Sequence, residues 1–401
     1  MSTATDTPAE VLRARMVERI LAGQQLTPTV ETAMRHVERH RYVPDVPVAD
    51  AYDEKAVITH TFPDGTHLSC ASVPSLVAAM LDALQAQPGH NILEIGAGTG
   101  YNAALLATLT GSSGQVVTLD INSDVTAAAR RHLDDTGYSH VRVITRDGAD
   151  GATEHGPYDR IIVTVGAWDI PHTWWDQLTP GGRLVVPLRW RGTTRAVAFT
   201  KTTDRWESDW VYLCGFVPML GQPGEHASTI DPDGLVTLYY DLDQDVDTKA
   251  LQGVLDQEKI EVWSDATVAG DEPFDGIWLR LSATDHRTLR IQADQKAIAS
   301  GLCTPAIPTR TPALADGSSL AYQTIRRSTD EPGRWQIGAT GHGPHGAQLA
   351  ARIVEQVTAW DRDRTAVPAL AAYATGRAPL ADLTGNAIEK PETRLFLTYD
   401  T

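Results

Sequence analysis

The chain has 401 residues, 34 Lys+Arg against 51 Asp+Glu, and a net charge of −17. At about 150 residues per domain, two or three domains are expected, and 42% hydrophobic with 21% charged residues is a globular composition that excludes wholesale disorder. The acidic balance argues against a nucleic-acid or anionic-membrane partner, which would be repelled overall. Cys70, Cys214 and Cys303 form neither a disulfide framework nor a zinc-ligand pair, so they read as reduced thiols of a cytoplasmic protein. The N-terminus has no apolar signal core, and no apolar run approaches the ~18 residues of a membrane span.

In chain order, the first residues are small and polar and are expected to be unstructured. Helices are expected over Val11–Ile20 and Val30–Arg39, the second capped by Thr27 or Thr29. From about residue 75 to 200 strands and helices alternate. Leu76–Leu84 (helix), Asn91–Ile95 (strand), Tyr101–Leu109 (helix), Gln115–Asp120 (strand) and Ser123–Asp134 (helix) are followed by strands Val141–Thr145 and Arg160–Val165. A short helix, Pro171–Leu178, and a strand, Arg183–Pro187, complete the alternation, which marks a parallel sheet covered on both faces. Arg195–Lys201 and Trp210–Val217 read as consecutive strands able to pair antiparallel. The Gly/Pro stretch Gly221-Gln222-Pro223-Gly224 marks a boundary, giving domains 1–224 and 225–401. Beyond it lie short strands at Leu235–Tyr240, Ile260–Trp263, Ile277–Leu281 and Leu395–Tyr399. A strong amphipathic helix, about Gly346–Trp360, carries Ala347, Leu349, Ile353, Val354 and Val357 on its core side.

The stretch Asn91–Tyr101 is the most informative. A strand ends in a glycine-rich turn that opens a helix, so a ligand can approach the backbone closely. Its spacing is G-x-G-x-G rather than the G-x-G-x-x-G of dinucleotide enzymes, and a tight turn with no ligand is the bland alternative. Asp120 ends the next strand, where a carboxylate can accept both ribose hydroxyls, and Asp147-Gly148 ends the third, where a side chain and an amide can read an adenine edge. Either aspartate alone is as well explained as a helix cap. Three strand ends converging on one crevice point to a nucleoside-like ligand.

Several motifs then follow one another in a fixed order: Val30–Pro44, Ala51-Tyr52, Leu68–Pro74, Asn91–Tyr101, Asp147-Gly148, Pro157–Thr164, Leu178–Pro187 and Cys214–Gly221. In this order they resemble the protein-L-isoaspartate O-methyltransferases over the first ~220 residues. The resemblance implies a Rossmann-like class I S-adenosylmethionine-dependent methyltransferase domain, α/β, followed here by an α+β accessory domain. It implies S-adenosyl-L-methionine as cofactor, held by Glu94, Gly96, Ala97, Gly98, Thr99, Gly100, Asp120, Ile121, Asp147 and Gly148, and no metal. Leu68–Pro74 takes the place of the family's substrate loop. It holds two serines: aligning the following helix puts the active-site serine at Ser72, with Ser69 as the alternative, while Ser72 as a helix cap is the structural alternative. His60 and His67 read as loop polar groups. The sequence departs from the family in having Asp120 where Glu is frequent, in placing Trp168 beside the expected substrate cleft, and in continuing for about 180 residues after the catalytic domain.

A carboxylate is already ionised at neutral pH, so methyl transfer to it needs positioning and exclusion of water rather than a strong base. The expected substrate is a peptide bearing an aspartate or isoaspartate. The long extension resembles that of tailoring methyltransferases of ribosomally made peptides, including lanthipeptides of the FxLD type, with succinimide and isoaspartate as products. General isoaspartyl repair and a non-catalytic binding module are the alternatives. Six aspartates between Asp231 and Asp247 resemble a calcium loop only superficially, because Val246 stands where glycine is needed and Gln252 where a bidentate glutamate is needed. They read as a solvated acidic face. His342 and His345 read as loop residues.

Overall fold

The computed structural model describes residues 7–222, 224–376 and 386–399. Pro223, part of the expected boundary, and residues 1–6, expected to be unstructured, lie outside these. The chain divides into two compact units, one of residues 1–188 and 194–222, the other of residues 189–193 and 223–401.

The first unit opens with α1 (Ala9–Gly23), α2 (Pro28–His36) and the short α3 (Val48–Ala51), then a hairpin of β1 (Val57–Thr61) and β2 (His67–Ala71). This hairpin was not expected. Its signal is the β-branched run Val57–Thr61 followed by Pro63-Asp64-Gly65, and the Asp64 carboxylate closes the turn by accepting from the Thr66 amide and hydroxyl. The alternating region comprises α4 (Pro74–Leu84), β3 (Asn91–Ile95), α5 (Tyr101–Thr110), β4 (Gln115–Asp120), α6 (Ser123–Asp135), β5 (Arg142–Thr145), β6 (Tyr158–Val163), α7 (His172–Gln177), β7 (Leu178–Trp190), β8 (Thr193–Lys201) and β9 (Trp206–Leu213). In the sheet the strands run β9-β8-β7-β6-β3-β4-β5. β7, β6, β3, β4 and β5 are parallel in turn, and β8 and β9 pair antiparallel as expected. The two helices flanking β3 are buried on most sides, including Leu76, Leu81, Leu105 and Leu106. An almost uniformly apolar helix is the sequence form of an element covered on both faces.

Register fixes where the strand ends meet. Ile95 of β3 lies opposite Leu119 of β4 and Val163 of β6, and Asp120 lies opposite Thr145 of β5. Gly96, Asp120 and Thr164 therefore leave the sheet side by side. The chain goes from β3 to β4 on one side and reaches β6 on the other, which is the topological switch point where open α/β sheets bind ligands.

The second unit continues with β10 (His226–Thr229), β11 (Val236–Tyr240), β12 (Ile260–Val268), α8 (Gly276–Thr284), β13 (Thr288–Ala293), α9 (Gln295–Ser300), β14 (Thr311–Asp316), β15 (Ser319–Arg327), β16 (Trp335–His342), α10 (Gly346–Arg362), β17 (Ala369–Ala374), β18 (Ala387–Glu389) and β19 (Thr393–Thr398). Seven strands form an antiparallel sheet in the order β10-β11-β13-β14-β15-β16-β12, and β17 and β18 pair with β19. The α+β expectation holds, with one element exchanged: Ile277–Leu281 is helix α8, not a strand. A five-residue apolar run fits either state by pattern, and burial of Ile277, Trp278, Leu279 and Leu281 makes the helix the better-covered form. α10 buries Leu349, Ile353 and Val357 as expected, but Ala347 is exposed and Gln356 and Trp360 take part in the buried face.

The acidic run from Asp231 to Asp247 is a solvated face only in part: Asp233, Asp245 and Asp247 are exposed, but the other three aspartates are engaged in the fold. Asp231 is buried and accepts hydrogen bonds from the amides of Asp233, Leu235 and Val236. Asp241 and Asp243 bind the buried Arg191 guanidinium. His342 is buried too, stacked on Tyr322.

Candidate functional site

The turn after β3 is pinned by its own amides: the N–H groups of Gly96 and Ala97 both donate to the Leu119 carbonyl at 2.8 Å. Gly96 has φ of 98°, and an added Cβ there would stand 2.5 Å from Thr164 Oγ1. Only glycine can hold this turn against the end of β6. Thr164 completes the clamp, its hydroxyl donating to the Gly96 carbonyl at 2.6 Å.

Two adjoining cavities open at this edge and share Leu68, Gly96, Asp120 and Val165 as walls. The larger is lined by Ser69, Ser72, Ala97, Gly98, Thr99 and Asn102 among others. The second is lined by Ile121, Asp147, Gly148 and Leu220 among others. Asp120 stands at their junction. One of its oxygens accepts from the Gly98 amide at 3.2 Å and the other from the Asn122 amide at 3.1 Å. Asp120 caps no helix: that role belongs to Asn122, whose side chain accepts from the amides of Asp124 and Val125. Burial raises the Asp120 pKa, so a ligand's hydroxyls would replace hydration that the carboxylate has lost. Ile121 is an apolar side chain left 44% exposed on the wall of the second cavity, where a flat ring can lie on it. Asp147 does cap a short 3-10 turn by accepting from the Ala149 amide, yet its other oxygen faces Gly221 and it lines the same cavity. At Gly148 a Cβ would overlap Ile95.

Two of the expected ligand-holding residues stand behind the walls. Gly100 is the N-cap position of α5 and packs against Ala129 and Leu133 of α6. Glu94 is fully buried, and its two oxygens accept from Asn102 Nδ2 at 2.7 Å and Thr118 Oγ1 at 2.6 Å. Its carboxyl is pushed up to about 7 by burial. Glu94 therefore positions Asn102, which lines the larger cavity.

Ser69 and Ser72 both line the larger cavity. Ser69 belongs to β2, is buried, and its hydroxyl accepts from Thr59 Oγ1 at 3.3 Å. Ser72 follows the strand. It does not cap α4, whose N-cap position is Val73 and which has no side-chain cap bond. Burial pushes the intervening Cys70 thiol up, away from nucleophilic thiolate character. Trp168 is absent from the walls of both cavities, and from that turn Thr164 and Val165 reach them instead. His60 and His67 lie on the β1–β2 hairpin rather than in a loop.

The residue that sequence reasoning left without a role is Arg39. It is completely buried, lines the larger cavity, and donates from Nε to the Ala51 carbonyl at 2.8 Å and from Nη2 to those of Ala71 and Ser72 at 3.2 and 2.8 Å. Its signal was its position in the Val30–Pro44 motif, where an arginine flanked by Glu38, His40 and Arg41 is easily read as surface.

A glycine cradle that a Cβ would fill, carboxylates at two successive strand ends and an exposed apolar platform between them fit an adenosine-containing cofactor. Known proteins agree. The sequence pattern of the family described as protein-L-isoaspartate(D-aspartate) O-methyltransferase matches residues 13–224, more than half of the chain. A protein-L-isoaspartate O-methyltransferase of Methanopyrus kandleri is 37% identical over 219 residues, 53% of this chain and 92% of the relative. Another, of Hyperthermus butylicus, is 39% identical over 222 residues, 53% of this chain and 90% of the relative. A solved structure described as a protein-L-isoaspartate O-methyltransferase aligns over 90% of this chain and 96% of its own, with a TM-score of 0.50 and 20% identity, a likeness of fold that reaches past residue 224. The chain belongs to the protein-L-isoaspartate O-methyltransferase family, the carboxyl methyltransferases that use S-adenosylmethionine.

Proposed function

We propose that the chain methylates the free carboxylate of an isoaspartyl residue in a peptide or protein. The observation that carries this reading is the join of two cavities at Asp120: a compartment lined by Ile121, Asp147 and Gly148 on one side and, on the other, a compartment walled by the Ser69–Ser72 turn. In this reading Asp120 accepts the ribose hydroxyls, Asp147 and Gly148 meet the adenine edge, Ile121 supports the ring, and Gly96, Ala97, Gly98 and Thr99 give the backbone room to lie against the cofactor. S-adenosylmethionine supplies an electrophilic methyl group on a sulfonium. The chain's residues bind, orient and exclude water. The acceptor is ionised at neutral pH, so no general base is required, and Ser72 donates to one carboxylate oxygen so that the other is aimed. In the methyl ester, the following backbone amide nitrogen attacks the carbonyl carbon and methanol leaves with the amide proton, giving a succinimide that water opens to aspartate or isoaspartate.

General repair of isoaspartyl sites is the favoured purpose. The extension is the one feature that favours the narrower reading, tailoring of a ribosomally made peptide. Yet a structure described as a protein-L-isoaspartate O-methyltransferase shares the fold over 90% of the chain, so an extension by itself does not separate the two. The test is methyl transfer from labelled S-adenosylmethionine to hexapeptides of one sequence bearing isoaspartate or aspartate. Base-labile methanol from the isoaspartyl peptide alone is expected, and no release, or equal release from both, would end the proposal. Acceptance of several unrelated isoaspartyl sequences at comparable kcat/KM supports repair, and a single accepted sequence supports tailoring.

A further inference from the structure

Arg39 carries a charge that the fold does not neutralise. Three of the five N–H donors of a guanidinium are used on carbonyls, those of Ala51, Ala71 and Ser72. The other two sit on Nη1, which is buried and has no hydrogen-bond partner. No carboxylate forms a salt bridge with it among the described residues; the Tyr101 ring lies 5.1 Å from the guanidinium carbon, and Glu54 acts on its charge only from beyond salt-bridge distance. A buried cation is strongly disfavoured without a paired anion, and arginine does not escape by losing its proton. A buried, unpaired charge in the wall of a cavity is where an incoming counter-charge gains most. Among the residues lining the larger cavity, Arg39 is the one cation and Asp120 the one carboxylate, and the chain as a whole is strongly acidic. An anionic substrate entering this cavity meets one complementary charge.

We infer that Arg39 is the carboxylate anchor of the acceptor site: Nη1 binds the isoaspartyl carboxylate oxygen that does not attack, while Nη2 holds the Ala71–Ser72 backbone so that the Ser72 hydroxyl stands beside it. This rests on the proposed carboxylate acceptor and adds the residue that selects for its charge. Arg39 makes the site prefer an ionised acid over a neutral amide of the same shape. It also keeps the negative charge on the acceptor until the methyl group arrives, because a buried carboxylate beside a guanidinium stays ionised. Serine alone does neither, since a hydroxyl donates as readily to an amide oxygen.

The experiment measures selectivity rather than rate. The full chain, saturated with S-adenosylhomocysteine, is titrated with an isoaspartyl hexapeptide and with the isoasparaginyl peptide of the same sequence, which carries a neutral amide in place of the free carboxylate. The wild type should bind the acid at least about tenfold more tightly. Arg39→Gln should bring the ratio close to one, Arg39→Lys should keep part of it, and S-adenosylhomocysteine affinity should stay within about twofold in both. A purely structural arginine would weaken both peptides in parallel, so an unchanged ratio in Arg39→Gln overturns the inference and leaves the proposed function standing. A wild type that binds neither peptide, or both equally, overturns the proposed acceptor and this inference with it. Should Arg39→Gln fail to fold, the crystal structure of the wild type with S-adenosylhomocysteine and the isoaspartyl peptide decides: a carboxylate oxygen within hydrogen-bond distance of Nη1 is expected, and a carboxylate held only by other groups refutes the assignment.

Discussion

Arg39 in the first unit and Arg191 in the second are both buried guanidiniums, and they are handled in opposite ways. Arg191 takes Asp243 in a two-pronged pair at 2.5 and 2.8 Å, its amide donates to Asp241 at 2.8 Å, and a second carboxylate contact to Asp241 lies at 3.4 Å. Burial alone would raise the Asp243 pKa, but Arg191 overcomes this and holds it below the usual range. Arg39 has carbonyls, an aromatic face and one idle nitrogen at a cavity wall. Both guanidiniums leave one nitrogen without a hydrogen-bond partner, Nη1 in Arg39 and Nε in Arg191, so what separates them is charge: Arg191 is matched by carboxylates and Arg39 by none in direct contact. A buried charge is a candidate for chemistry when its counter-charge is missing from the fold, and burial by itself says little.

The difference between the two guanidiniums weighs most on stability at Arg191. Replacing it by methionine leaves Asp241 and Asp243 facing a partly buried gap, and breaking a buried pair from one side costs about 3–5 kcal/mol. Arg191→Met is expected to lower the denaturant midpoint accordingly, while S-adenosylhomocysteine affinity of the folded protein stays near wild type. A loss of affinity as large as the loss of stability would show that this pair also serves the cofactor site.

Glu94 sharpens the contrast inside the first unit, since it is a buried carboxylate whose partners are neutral. Its folded pKa of about 7 lies above the ordinary value of 4.5, so the folded chain retains a proton that the unfolded chain gives up. Stability from this group is complete below about pH 4.5 and is lost as pH rises towards 7, by up to about 3 kcal/mol. Glu94→Gln cannot ionise and should flatten that part of the stability profile, measured as urea midpoints at pH 5 and pH 7.5. An unchanged slope would mean that Asn102 and Thr118 suffice to keep Glu94 ionised.

Asp120 tests the cofactor edge of the first unit directly. If its carboxylate accepts ribose hydroxyls, Asp120→Ala should weaken S-adenosylhomocysteine by roughly 1.5–3 kcal/mol for each charged hydrogen bond lost, at least tenfold by calorimetry. Unchanged affinity would remove Asp120 from the site.

The legible part of this molecule is the part where local pattern and chemistry coincide. The strand ends at Ile95 and Asp120 could be read because apolar runs stop at glycine or a carboxylate there, and register then brings Gly96, Asp120 and Thr164 together. Arg39 was illegible because its partners are carbonyls distant in sequence, at Ala51, Ala71 and Ser72, and backbone acceptors leave no trace in residue type. Asp241 and Asp243 were misread for a related reason: their counter-charge, Arg191, is about 50 residues away, so the run looked like free acid. Glu94 could be placed at the end of β3 but not oriented, because side chains alternate between the faces of a strand and its two donors come from α5 and β4.

The smallest expected effect discriminates most finely, because it concerns one hydroxyl. Ser72 and Ser69 both line the larger cavity, but their surroundings differ. Ser69 is buried in β2 and already accepts from Thr59. Ser72 follows the strand, caps nothing in α4, and has its backbone fixed by Arg39. The Ser72 hydroxyl makes no bond to α4 and its bond with the Cys70 thiol is a weak one, so Ser72→Ala should leave the melting temperature nearly unchanged. Loss of one neutral hydrogen bond to the acceptor, about 0.5–1.5 kcal/mol, should lower methylation of an isoaspartyl peptide by about three- to tenfold, with S-adenosylhomocysteine affinity retained. Ser69→Ala, by contrast, takes away the Thr59 partner inside the hairpin and should register first in stability. The reverse outcome, with activity surviving in Ser72→Ala and vanishing from a stable Ser69→Ala, would move the acceptor three residues back along the chain. The carboxylate would then sit against Gly98, whose added Cβ would come within 3.8 Å of Ser69 Oγ, and Arg39 would reach it past Cys70 rather than beside Ser72.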